Sequence, residues 1–206
     1  MFGSDFIELA LIRGPIILFS LTVHEYYHAK IAYRFGDTTA RDMGRLSLNP
    51  FVHLDLIGTL MMVVTQFRFG WAKPVPVNPA RFRNRRMGQF WVSAAGPLSN
   101  IGLAVVAGMI YRTVHTIEIG LPPIYIRFLT DAVMINLILA LFNLIPLFPL
   151  DGSHIFKSLV PREYESALIR FDRIAPFVLI LLFVSGIVWA FLWPPIAFLK
   201  DMILGS

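Results

Sequence analysis

Four stretches of this chain are long and apolar enough to cross a lipid bilayer, and no soluble architecture accommodates them. A spanning helix needs about 20 mostly apolar residues, because the hydrocarbon core is about 30 Å thick and a helix rises about 1.5 Å per residue. Segment A covers about 6–35, segment C 88–111, segment D 124–145 and segment E 174–193. Segment B, 54–67, has about 14 residues and is read as a short re-entrant element rather than a crossing. Composition points the same way. The chain is 56% hydrophobic and 15% charged, with a mean hydropathy of +0.67. An ordinary soluble domain is roughly 45–50% apolar and about 25% charged. Neither a small soluble globule nor a disordered chain is built this way.

Positive charge sets the orientation. Lys30, Arg34, Arg41 and Arg45 follow A, Arg81, Arg83, Arg85 and Arg86 precede C, and Lys157, Arg162, Arg170 and Arg173 lie between D and E. Cytoplasmic loops are enriched in Lys and Arg, so all three are expected inside, with A, C, D and E each crossing once. This accounts for the net charge of +5 without a nucleic acid. Asp5 and Glu8 before the first apolar run, and no small-residue cleavage site after it, argue against a cleavable signal. The absence of Cys excludes disulfides, thiolate metal sites and Cys nucleophiles. No nucleotide-binding motif is present.

The expected architecture is therefore an all-α integral membrane protein, a single polytopic domain over 1–206 with about four transmembrane helices. To these is added a small membrane-associated β-hairpin at 38–51, where β-branched residues, Gly44 and an Asn49-Pro50 break occur together. The stretch 70–79, with three prolines in ten residues, should be extended and stiff.

His24, Glu25 and His28 form H-E-x-x-H near the inner end of A. Four helical residues return about 40° past one turn and climb about 6 Å, which sets both imidazoles on one face. Two such nitrogens can each reach a zinc ion at about 2.0–2.1 Å, and Glu25 beside them can take a proton from activated water. With 5 His in 206 residues and Glu equally scarce, the pattern arises by chance on the order of 0.003 times per chain. A headgroup-facing helix end is the plainer alternative, but ionisable groups in apolar spans are costly and seldom idle.

A catalytic zinc usually has three protein ligands, so one is missing. Asp151 is the best candidate. It closes segment D, after Pro146 and Pro149 and before Gly152, at the depth where A carries its histidines. An ordinary Asp-Gly turn is the alternative. His154 is a substitute ligand, a proton donor or a solvated histidine. His53 or Asp55 should cap segment B, and His115 in the outer loop carries no signal. Asn100 and Asn143 read as interhelical amides, although Asn143 could contact substrate or donate to a developing oxyanion. Gly96, Gly102 and Gly108 suit close helix packing, and the 18 Phe are lipid-facing bulk.

Taken together, H-E-Y-Y-H at 24–28, the Asn143–Gly152 run and the Ala95-Gly96-Pro97 to Asn100 string resemble the site-2 protease family of intramembrane zinc metalloproteases. Gly44–Asp55 and Gly70–Pro79 resemble its compact prokaryotic subgroup without a PDZ domain, and Phe148 departs from the pattern, where related sequences often carry proline. The resemblance covers about 21–155. It implies Zn2+ held by His24, His28 and Asp151, with Glu25 activating water in a three-helix core made of A, C and D. It also implies cleavage of a single-span transmembrane substrate near the cytoplasmic side of the cell membrane. A metal transporter or sensor using the same His/Asp site is the competing reading, although it has no use for Glu25 as a base. An edge strand at 38–48 would let an unwound substrate add to it.

Overall fold

The computed structural model describes residues 4–67, 70–118 and 120–205. Nine α-helices are present among them: α1 Ser4–Arg34, α2 Thr39–Asp42, α3 Leu56–Val64, α4 Arg85–Thr116, α5 Pro123–Asn143, α6 Asp151–Leu159, α7 Glu165–Asp172, α8 Ala175–Val184 and α9 Ile187–Leu204. Four of them, α1, α4, α5 and α9, have the length and hydropathy to cross a membrane. The chain is a multi-pass membrane protein.

The central helix is α4, launched by Asn84, whose side chain accepts from the Met87 N–H. It packs on α1, α5, α6 and α9. Between lipid-like surfaces, helices associate through close packing and polar contacts rather than through water exclusion, so small residues collect at their interfaces. The core of α4, α5 and α9 sets one such residue, Ala104, among larger ones: Val133, Leu137, Val188, Leu192 and Ile196, all buried. At Gly108 a Cβ would lie 2.1 Å from Ile203 Cγ2, so only glycine lets α4 and α9 approach this closely.

Side-chain pairs fix the direction of each helix. Arg13 of α1 donates to Asp131 of α5 at 3.1 Å, and Arg127 of α5 pairs with Glu8 of α1, so α1 and α5 run parallel with their N-termini together. Pairing also relieves the cost of Arg13 within a spanning segment. Helix α9 starts beside Phe142, through Phe183 and Trp189, and ends where Arg112 of α4 donates to the Met202 carbonyl. It therefore runs parallel to α4 and opposite to α1 and α5.

Three sequence expectations need correction. The hairpin at 38–51 is absent, and no strand occurs among the described residues. Asp37 accepts from the N–H and hydroxyl of Thr39, which starts the helical turn α2. The turn closes through Arg45 N–H to Ala40 O, with Gly44 at φ 68°. Local side-chain capture of the backbone outcompeted strand pairing. Segment B is the nine-residue helix α3, capped by Asp55 through the Gly58 N–H at 2.8 Å. At about 1.5 Å per residue it covers under half of the hydrocarbon thickness, and nothing in its packing marks a re-entrant element. Segment E is not one crossing over 174–193. Gly186, at φ 78°, ends α8 after ten residues, and the crossing-length helix is α9. Helix α9 runs through the adjacent Pro194 and Pro195, both on its exposed face.

Candidate metal centre

On α1, His24 and His28 lie one above the other, with ring centroids 4.6 Å apart. Their Nε2 atoms are 2.9 Å apart. Each Nδ1 is occupied on the far side. The Val92 carbonyl lies 2.6 Å from His28 Nδ1 and can only accept, so that nitrogen carries the hydrogen and Nε2 keeps its lone pair. Asn100 Oδ1 lies 2.6 Å from His24 Nδ1 and imposes the same arrangement. Both rings are buried.

Asp151 reaches them from a separate element. Helix α5 ends at Asn143, a tight turn over 144–150 follows, and Asp151 opens α6. Within that turn, Leu147 N–H donates to Ile145 O and Leu150 N–H to Leu147 O. Gly152 lies so close beneath it that a Cβ would come within 2.2 Å of the Leu144 carbonyl oxygen. The Asp151 Oδ2 atom ends up 3.2 Å from His24 Nε2 and 3.3 Å from His28 Nε2, buried and with no hydrogen-bond donor.

Three buried acceptor atoms thus converge with no hydrogen between them, an arrangement that repels itself unless a cation lies at its centre. The chemistry and spacing both fit zinc. Ligands at about 2.0–2.1 Å in a tetrahedron are about 3.3 Å from one another, and two imidazoles with one carboxylate leave a fourth position open. Among the described residues this is the cluster of His, Asp and Glu side chains that could hold a metal ion. Gly96 of α4 makes room for it: a Cβ there would lie 2.4 Å from His28 Nε2 and 2.5 Å from His24 Nε2.

Glu25 stands next to the cluster, 8% exposed, and its Oε2 accepts from the Val75 N–H at 2.8 Å. Val75 belongs to the proline-rich strap 70–78, which carries no helix, as its composition predicts. Four contacts hold the strap. Arg45 donates to the Lys73 and Pro74 carbonyls, Lys73 N–H donates to His53 O, and Asp37 accepts from Asn78 N–H. The strap, α1, α4, α5 and the 149–154 segment enclose a cavity of about 670 Å³ that contains His24, Glu25, His28 and Asp151.

The remaining expected residues are placed as follows. Asn143 lines the cavity, but its amide donates back to the Leu139 carbonyl of its own helix at 2.9 Å. His154 also lines it, 3.2 Å from Gln89 Nε2 and outside the ligand cluster. Burial, reinforced by Lys157, pushes its imidazole below the usual value and keeps it neutral. His53 is buried against the Ser47 carbonyl at 2.8 Å, and Asp55 takes the capping role. His115 stacks on Tyr111, near the C-terminus of α4. Sequence reasoning missed the Val92 and Asn100 contacts, the Val75 donor and the clearance at Gly96, which it assigned to helix packing. The string containing Gly96 and Asn100 was itself visible.

A buried His-His-Asp cluster beside a glutamate, inside a multi-pass helical bundle, defines a membrane metallopeptidase. The comparisons agree. The sequence pattern of peptidase family M50 matches residues 121–186, the part that carries Asn143 and Asp151. Across 192 residues the chain is 38% identical to the Bacillus subtilis (strain 168) protein named "Putative zinc metalloprotease YwhC", covering 91% of this chain and 87% of that protein. No solved structure matches. The chain belongs to peptidase family M50, the site-2 protease family.

Proposed function

We propose that this chain is an intramembrane zinc protease that hydrolyses a peptide bond within or near a transmembrane helix of a single-span membrane protein. The convergence of His24 Nε2, His28 Nε2 and Asp151 Oδ2, three donorless acceptors, carries the reading. Family M50 membership and the zinc metalloprotease among its relatives support Zn2+ as the cofactor. The three residues hold the ion. Zinc, when bound, lowers the pKa of a coordinated water toward about 7 and polarises the scissile carbonyl.

The chain's own groups do the rest. Glu25 takes a proton from the attacking water as its oxygen bonds to the carbonyl carbon. As the C–N bond breaks, Glu25 returns that proton to the leaving nitrogen, so atoms and charge balance. The Val75 N–H holds the carboxylate in place between these transfers. Asn143, at the cavity wall, has a second amide hydrogen for a substrate carbonyl. The Lys- and Arg-rich loops support a reading in which this end of the bundle faces the cytoplasmic side of the cell membrane.

With no strand in 38–48, that segment offers no edge for an unwound substrate. A transporter would need further ligands along a path, and the described residues hold no second cluster of three. The test is zinc quantitation on detergent-purified protein, incubated with a single-span model substrate. Wild type should bind about one zinc and cleave. Glu25→Gln should bind zinc with cleavage reduced by orders of magnitude, and cleavage at the wild-type rate by that variant would overturn the assignment.

A further inference from the structure

Two buried amides that the proposed reaction does not use cross the apolar centre of the bundle and end on a metal ligand. Asn100 of α4 is 0% exposed and Asn136 of α5 is 3% exposed. Their orientations are forced in sequence. Asn136 Nδ2 donates to the Ala132 carbonyl of its own helix at 2.9 Å, which leaves its Oδ1 facing α4. That oxygen accepts from Asn100 Nδ2 at 2.9 Å, and the same nitrogen also donates to the Ser20 carbonyl at 3.4 Å. Asn100 Oδ1 must then face His24 Nδ1, at 2.6 Å. Two backbone carbonyls, which can only accept, anchor the line and prevent either amide from rotating by half a turn.

We infer that Asn136, acting through Asn100, is a positioning residue that locks His24 in the tautomer able to bind metal. This rests on reading His24 as a ligand. A reversed Asn100 amide would present N–H to His24 Nδ1 and move the ring hydrogen to Nε2, which abolishes the ligand lone pair. His28 needs no such device, because the Val92 carbonyl holds it directly. The two histidines therefore differ in how their orientation is secured: one by backbone, one by a relay through two helices. Partners of this kind in the outer shell of a metal site change affinity by about 10–100-fold when removed.

The experiment uses full-length protein in detergent, with zinc affinity measured by chelator competition and the histidine rings followed by 15N NMR in the metal-free state. Wild type should show His24 with hydrogen on Nδ1. Asn136→Leu and Asn100→Leu should each weaken zinc about tenfold or more and put hydrogen on the Nε2 of His24, while His28 is unchanged. Asn136→Asp should recover most of the affinity, since a buried, protonated carboxyl can donate to Ala132 O and accept from Asn100. A wild-type His24 with hydrogen on Nε2 overturns the relay and requires no variant to fold. Unchanged zinc affinity in Asn136→Leu also overturns it. Should His24→Ala bind zinc as wild type does, the ligand assignment itself fails, a result separate from either of these.

Discussion

The two halves of the metal centre are built in different ways. His24 and His28 stand on a spanning helix, backed by α4 and α5, with every polar atom behind them satisfied by a carbonyl or a buried amide. Asp151 and the carboxylate of Glu25 depend instead on non-helical chain: the 144–150 turn for one and the strap for the other. The helical half is over-determined and sets the position of the ion. The looped half is held by a handful of side-chain and backbone hydrogen bonds in place of a continuous helical ladder, and such segments open at lower cost.

The sharpest way to break this contrast is to damage the rigid half. Gly96→Ala places a methyl group within 2.5 Å of both ligand nitrogens, and the neighbours there are rings fixed from behind. Zinc content should fall close to zero and cleavage to background, with the bundle itself destabilised by about 1–3 kcal/mol. Glu25→Gln comes next: cleavage should drop by about 10²–10⁴-fold, the usual contribution of a general base, at undiminished zinc content. Val75→Pro tests the looped half alone by deleting the N–H that holds Glu25. A hydrogen bond to a charged group is worth about 1.5–3 kcal/mol, so turnover should fall by roughly 10- to 150-fold while zinc affinity stays constant. Equal zinc loss in Val75→Pro and Gly96→Ala would erase the distinction.

The smallest effect concerns pH. Burial would raise the Asp37 carboxyl, but the N–H of Asn78 and the two Thr39 donors outweigh it and hold it below its usual range. A carboxylate depressed in this way stabilises the strap fully above the unfolded value, about 3.9, and loses that contribution as pH falls through the lower folded value. Amide exchange across 70–79, followed on the acid side, should therefore accelerate before exchange in α4 does. Asp37→Asn should remove the pH dependence.

The same contrast decides what the sequence alone could reveal. Hydropathy exposed α1, α4 and α5, because a bilayer demands a length and an apolarity that few other structures need. It misplaced the last crossing, because 174–193 is apolar throughout and gives no sign that the chain breaks at Gly186 between α8 and α9. The hairpin at 38–51 failed for a local reason: one aspartate side chain diverted the backbone into a turn. His24 and His28 were legible as a pair because four residues of helix fix their relation. Asp151 could be suspected from the prolines before it and the glycine after it. Asn136 and Val75 gave no local signal, because their partners lie 36 and 50 residues away in the chain.

The glycine at 96 also governs how the chemistry can be approached. Bare α4 backbone closes one side of the triad, and the cavity that the triad lines is also lined by Trp71, Leu179 and Asn143. The α4 side is thereby closed to an incoming peptide, whose carbonyl has to come to the triad from the cavity. That closed side depends on a hydrogen atom standing where every other amino acid would carry carbon.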